Sequence, residues 1–182
     1  MCHFVEKNFF FYIEYSNRLL AQQLRVVLFN LKNLNFKDIA FGTHSKGDGT
    51  MALLSEEMKK MIDQQLPFLA TTGGDGSPQV GPKGSTRVYD DEHLIYYEHT
   101  FKQAYANLQQ NGYAAVAVVD SNVEKGFRFE GTAVIHEDDD FANDILAKTS
   151  IFDRFPRAAV VLIRIDRIYK LDNTLEAGDR IA

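Results

Sequence analysis

Tryptophan is absent from the chain, and cysteine occurs once in 182 residues, at Cys2. A single cysteine excludes an intramolecular disulfide framework and fits a reducing compartment. Positive charge is in deficit: 20 Lys plus Arg stand against 25 Asp plus Glu, a net charge of −5. Without a long basic stretch, a nucleic-acid surface built on phosphate neutralisation is not expected. No apolar run is long enough to span a membrane. The stretch from Phe9 to Leu31 is interrupted by Glu14, Arg18 and Arg25 and reads as an amphipathic helix. It also lacks a signal peptide's order of basic start, apolar middle and small-residue cleavage site, so the cytoplasm is the expected location.

Several chemical signatures are missing too. The five histidines, His3, His44, His93, His99 and His136, show no zinc-type spacing with cysteine or with one another. No metal site is expected, since His136 with Glu137 to Asp140 is more simply an acidic turn capping a helix. Nucleophile elbow, Walker loop and dinucleotide fingerprint are absent. With no general acid–base pair in view, chemistry carried by a cofactor is the natural expectation.

What is present is enough for a core: 45% of residues are hydrophobic and 12% aromatic. The chain changes character at Met51. Residues 1–50 hold seven of the 14 Phe and five Asn but no Pro, and carry +2, whereas residues 51–182 carry −7. The polar stretch His44–Thr50 suits a linker. Codons for Lys46-Gly47-Asp48 can spell a purine-rich ribosome-binding run shortly before the Met51 codon. Residues 1–50 are therefore expected to be either an over-called start or an amphipathic arm, with the domain proper at 51–182.

From Met51 the patterning alternates helices with strands. Ser55 is an N-cap, Glu56 and Glu57 favour the helix start, and Met58, Met61, Ile62 and Leu66 form an apolar face, with Pro67 at the exit. Phe68–Thr72 reads as a strand, Gly73–Gly76 as a tight turn, and Pro78–Val80 as the return. A break at Gly81–Gly84 precedes a strand from Ser85 to Tyr89. His93–Glu98 is another strand, and a helix from Phe101 to Gln110 is closed by Asn111-Gly112. Tyr113–Val119 is apolar enough for a strand buried on both faces, Phe127–Ile135 alternates like a half-exposed one, and Asp138–Asp140 open a helix reaching about Lys148. Ala158–Leu171 is a long final strand. The sum is mainly β (α+β), six or seven strands with three short helices, the size of one barrel or sandwich.

Two segments suggest an anion site. Gly81-Pro82-Lys83-Gly84-Ser85 would place backbone N–H groups, a hydroxyl and an ammonium on one rim, where small residues let a ligand approach the main chain. Thr100-Phe101-Lys102-Gln103 begins a helix, and a lysine there has the wrong sign for the helix dipole unless an anion offsets it. Tyr96, Tyr97, His99, Phe101 and Tyr105 could line a flat ring, although Tyr96 and Tyr105 are better read as core.

The ordered series "PFLATTGGDGSPQVGPKGSTRVYDDEHLIYY", "HTFKQAYANLQQNGYAAVAVVD" and "FRFEGTAVIHEDDDF" resembles the pyridoxamine 5′-phosphate oxidase-like family of FMN-binding split barrels, especially its short members. The likeness covers Met51 to Leu171, about two-thirds of the chain. It implies a split β-barrel and a homodimer with FMN in a cleft between subunits. Phosphate contacts would come from Lys102 and Gln103 at the Thr100-Phe101 helix start, with Lys83 and Ser85 of the Gly84 loop and Arg87 as a bidentate partner. Backbone around Val80, Gly81 and Pro82 would face the flavin, and Asn107 would close helix packing. The implied activity is that of a small FMN-dependent oxidoreductase transferring hydride or electrons. Rival readings are a deazaflavin-dependent reductase, a non-catalytic flavin or haem protein with His93 or His99 as axial ligands, and a dimeric structural protein without ligand. The family's vitamin-phosphate oxidases carry a longer C-terminal segment with arginine-containing motifs. Here the chain ends soon after Leu175–Arg180, so that substrate is not expected.

Overall fold

A computed structural model of the chain describes residues 52–182. The expected arm, the linker at His44–Thr50 and the reading of Met51 as a start lie outside the described residues. Helix α1 (Glu56–Gln64) begins with a reciprocal capping box: the Ser55 hydroxyl accepts from Met58 N at 3.3 Å, and Ser55 N donates to Met58 Sδ at 3.4 Å. It buries Met58, Met61 and Ile62. Leu66 does not extend this face; it is exposed, because the residue before Pro67 is steered away from helical geometry and the chain is already extended at Gln65.

Seven antiparallel strands follow: β1 (Phe68–Thr72), β2 (Pro78–Pro82), β3 (Arg87–Val88), β4 (His93–Glu98), β5 (Tyr113–Asp120), β6 (Lys125–His136) and β7 (Ala159–Lys170). They form one curled half-barrel sheet in the order β2-β1-β5-β6-β7-β4-β3. Its two edge strands are consecutive in sequence. Laid flat, six inter-strand spacings would separate β2 from β3 by about 29 Å. The Pro82-to-Arg87 connection spans at most about 19 Å, so the sheet has to curl, and the fold is mainly β, of the split-barrel kind.

Three expectations need correction. Gly81 and Pro82 are not a break; they continue β2, pairing with Leu69 and Phe68, and Pro82 is tolerated because β2 is an edge. The strand expected from Ser85 shrinks to Arg87–Val88, since Ser85 lies in a turn closed by Thr86 N donating to Lys83 O at 3.0 Å. β5 buries only Ala114, Val116 and Val118, while Tyr113 and Val119 on its other face are exposed.

Two cores result. Inside the curl, Leu69, Leu94, Tyr96, Val116, Phe129 and Ile163 pack with α1 and with Leu108 of helix α2 (Gln103–Asn111). Outside it, Ile95 and Val160 are covered by Ala142 and Leu146 of helix α3 (Asp140–Leu146). Burial on both faces explains the unbroken apolar run of β7. Asp139, within the acidic run that the sequence assigned to capping, caps α3 by accepting from Ala142 N at 2.8 Å and lies 2.8 Å from His136 Nδ1.

Candidate functional site

The site grows from the β4–α2 junction. Along β4, Leu94, Tyr96 and Glu98 point into the curl and are fully buried, while Tyr97 lies on the opposite, outer face. Glu98 is therefore a carboxylate inside the barrel, and it is fully partnered. Its Oε2 lies 2.5 Å from Lys83 Nζ. Its Oε1 accepts from Thr100 N at 2.8 Å, Thr100 Oγ1 at 2.6 Å and Phe101 N at 3.1 Å. Burial pushes the Glu98 carboxyl up, but the Lys83 and Thr100 hydrogen bonds and the Lys83 charge outweigh it and hold it below its ordinary value. The Lys83 ammonium also sits 4.9 Å from the centre of the Tyr96 ring. The Tyr96 hydroxyl has no partner among the described residues, and its phenol is driven far above the ordinary range by burial and by the Glu98 charge.

Beyond Glu98 the chain makes an unusual turn. Phe101 adopts φ 49°, in the left-handed region. Helix α2 then starts at Gln103, two residues later than the pattern suggests. Lys102 becomes its exposed N-cap residue, without a side-chain cap bond. The first N–H groups of α2 are thus left without a capping side chain. At the far end Gly112 closes the helix with φ 70°.

The predicted residues do not gather in one cradle. Lys83 turns inward to Glu98. The Ser85 hydroxyl is engaged by the backbone, accepting from Tyr97 N at 3.0 Å. Arg87 lies on the outer side, its guanidinium 4.4 Å from the centre of the Tyr97 ring and donating to Ser85 O at 3.4 Å. Neither Arg87 nor Lys102 is paired with a carboxylate among the described residues. Val80 and Pro82 face outward from β2 and are exposed, Gly81 faces inward, and Gly84 is exposed at the turn. Thr100 is committed to Glu98. Gln103 is exposed and donates to Asn107 Oδ1 at 2.7 Å.

Sequence reasoning missed Glu98, although the apolar alternation of His93–Glu98 put it in phase with Leu94 and Tyr96. It also missed two supporting networks. Buried Asn107 donates to Thr71 Oγ1 at 3.0 Å, and that hydroxyl donates to Gln79 Oε1 at 3.1 Å, so one polar chain links α2, β1 and β2. Asn107 thereby closes helix packing, as its motif position suggests. The second network holds Phe101. The Arg157 guanidinium lies 3.8 Å from the centre of its ring, and Tyr105 meets it edge-on at 4.9 Å. Glu137 accepts from Arg157 Nε at 2.7 Å and from the Tyr105 hydroxyl at 2.7 Å, and those two bonds hold its carboxyl below the ordinary value.

The histidines are placed apart. His93 lies 2.8 Å from Asp90, and His99 stacks on Phe155 at 3.9 Å. Six residues separate them along one chain, about 20 Å in extended geometry, so the two histidines of a single chain cannot serve one iron. Among the described residues no helix is long and apolar enough to cross a membrane.

Comparison with known proteins agrees with this architecture. The family model for pyridoxamine 5′-phosphate oxidase matches residues 54–172. A candidate pyridoxamine 5′-phosphate oxidase from Lactobacillus delbrueckii is 41% identical, with a TM-score of 0.61, over 65% of this chain and 94% of that one. HupZ from Group A Streptococcus is 36% identical, with a TM-score of 0.60, over 69% of this chain and all of that one. An FMN-binding protein from Syntrophomonas wolfei, 17% identical with a TM-score of 0.54, over 64% of this chain and 84% of that one, shares the fold. Strand order, residue series and family match agree: the chain belongs to the pyridoxamine 5′-phosphate oxidase family.

Proposed function

We propose that this protein binds FMN and acts as a small cytoplasmic oxidoreductase, working as a homodimer with the flavin at the subunit interface. The observation that carries the reading is a pair of cations with no carboxylate partner among the described residues: Arg87 at the start of β3, and Lys102 at the β4–α2 corner, where the helix N–H groups lack a cap. A flavin phosphate is a dianion that needs such donors. The residues present therefore fit the group: Lys102 supplies a point charge, Arg87 a planar fork held by Tyr97, and Gln103 a further amide. Lys83 and Ser85, already engaged, support the corner rather than lead it.

When bound, the flavin ring supplies hydride or electron transfer. The chain's own part is to hold and orient. The outward, apolar face of β2, with Val80 and Pro82, offers a surface for a flat ring. Phe68, Val80, Tyr113 and Val119 expose a continuous apolar face across β2, β1 and β5, which favours a second copy as its cover.

The test is an absorbance spectrum of the purified protein, followed by denaturation and chromatography of any released chromophore. FMN bands and co-elution with FMN are expected. Colourless protein that takes up no added FMN would remove the reading, a released deazaflavin would replace the cofactor, and a haem band would replace the class.

A further inference from the structure

We propose that Glu98 is the positioning residue for the phosphate end of this site, with Lys83 as its buried counter-ion rather than a phosphate ligand; this rests on the flavin reading above. Glu98 is the only fully buried carboxylate among the described residues. A charge inside a barrel is costly unless fully paired, and at the same phase of β4 the fold uses Leu94 and Tyr96. What an apolar residue there could not do is accept from Thr100 N and Phe101 N, the two backbone donors just before the start of α2.

Those two bonds set the path of the junction. The left-handed region is sterically unfavourable for phenylalanine, so φ 49° at Phe101 persists only where neighbours fix it. Here Glu98 holds its N–H while Arg157 and Tyr105 hold its ring. That turn leaves Lys102 exposed at the N-cap and the N–H groups of Gln103, Ala104 and Tyr105 free for an anion. Lys83 comes from the turn between β2 and β3 and reaches inward to the Glu98 carboxylate. The lysine side chain retains 14% exposure and its charge is compensated at 2.5 Å, whereas Arg87 and Lys102 meet no carboxylate among the described residues. The Lys83 turn and the Thr100–Lys102 junction are thus tied together through one carboxylate, which stands 15 residues after Lys83.

The experiment compares dissociation constants for FMN and riboflavin in the parent, Glu98→Gln, and the double variant Lys83→Met/Glu98→Gln. Riboflavin lacks the phosphate, so the ratio reads that end of the site alone, which a general loss of stability would not shift selectively. In Glu98→Gln the new amide N–H faces the Lys83 ammonium, and the carboxamide is displaced. The FMN preference should fall roughly tenfold or more, with riboflavin affinity within about threefold of the parent. Amide hydrogens of Thr100 and Phe101 should exchange faster in the flavin-free variant. The double variant restores a neutral acceptor without the facing ammonium, and its preference should return to within about threefold of the parent. It also covers the case in which the single variant does not fold. A folded double variant that loses the preference as fully as Lys102→Ala would make Lys83 a phosphate ligand and overturn the proposal. An unchanged ratio in Glu98→Gln would do the same. A parent that binds neither flavin would remove the flavin reading, while the amide-exchange comparison would still decide whether Glu98 fixes the junction.

Discussion

Lys102 carries no side-chain cap bond and, among the described residues, no counter-ion, so removing it leaves no buried charge behind; its loss reads out on ligand alone. Lys102→Ala should weaken FMN binding by about 1.5–3 kcal/mol, the scale of a charge-assisted hydrogen bond, with little change in melting temperature. Fluorescence titration checks it, and equal affinity would show that Lys102 is not the anchor. Glu98 behaves oppositely, because its effect is on stability as well. Its carboxyl is held below the ordinary value of 4.5 in the fold, so the stabilisation is fully present above that pH. It is lost as pH falls through the lower, folded value. Acid unfolding of the parent should therefore be steeper below pH 4.5 than that of Lys83→Met/Glu98→Gln, as followed by circular dichroism, and matching acid limbs would count against the pairing. Lys102 was legible as a cation at a helix start and Arg87 as one in the strand after Ser85, and both remain part of the proposed site. The Lys83–Glu98 pair was not, since no local pattern says that a carboxylate at the inward phase of one strand will meet a lysine 15 residues earlier.

Helix α2 packs Ala104 and Leu108 into the core and is tied to the sheet by a polar contact as well. Asn107 is 1% exposed, and its amide both donates to Thr71 and accepts from Gln103. Asn107→Ala leaves the Thr71 hydroxyl without its donor and opens a small void, which should cost about 2–3 kcal/mol by thermal or urea unfolding. A change below about 0.5 kcal/mol would mean that the polar chain is incidental. Elements with strong local signals were readable: α1 from its cap, β1 from Pro67 and the Gly73–Gly76 turn that bound it, β4 from Leu94 and Tyr96 on one face, β7 from its length. Boundaries failed where tertiary partners decide them. Helix α2 starts late because Glu98 captures the backbone of Thr100 and Phe101, and β3 is short because Ser85 is spent on a turn and a backbone bond.

The described chain leaves one side of its sheet, across β2, β1 and β5, uncovered by any of its own helices, in contrast to the side of β4 and β7 that α3 covers. Val80→Asp places a charge on the β2 edge of that face and should weaken self-association by at least about tenfold, read by sedimentation or light scattering. Unchanged association would move the interface elsewhere. Strand count and class were visible in the sequence. Strand order was not, because pairing of β4 with β7 joins segments more than sixty residues apart. The shortness of the Lys83–Thr86 connection bears on the molecule's mechanics. Its edges are not two loose ends but the two sides of a hoop fastened by a clasp, and the clasp's own lysine is pinned inside the hoop by Glu98. Trypsin should find Lys83 a poor cutting site in the native protein. A cut made there would not trim a loop but unfasten the ring, releasing β2 and β3 together.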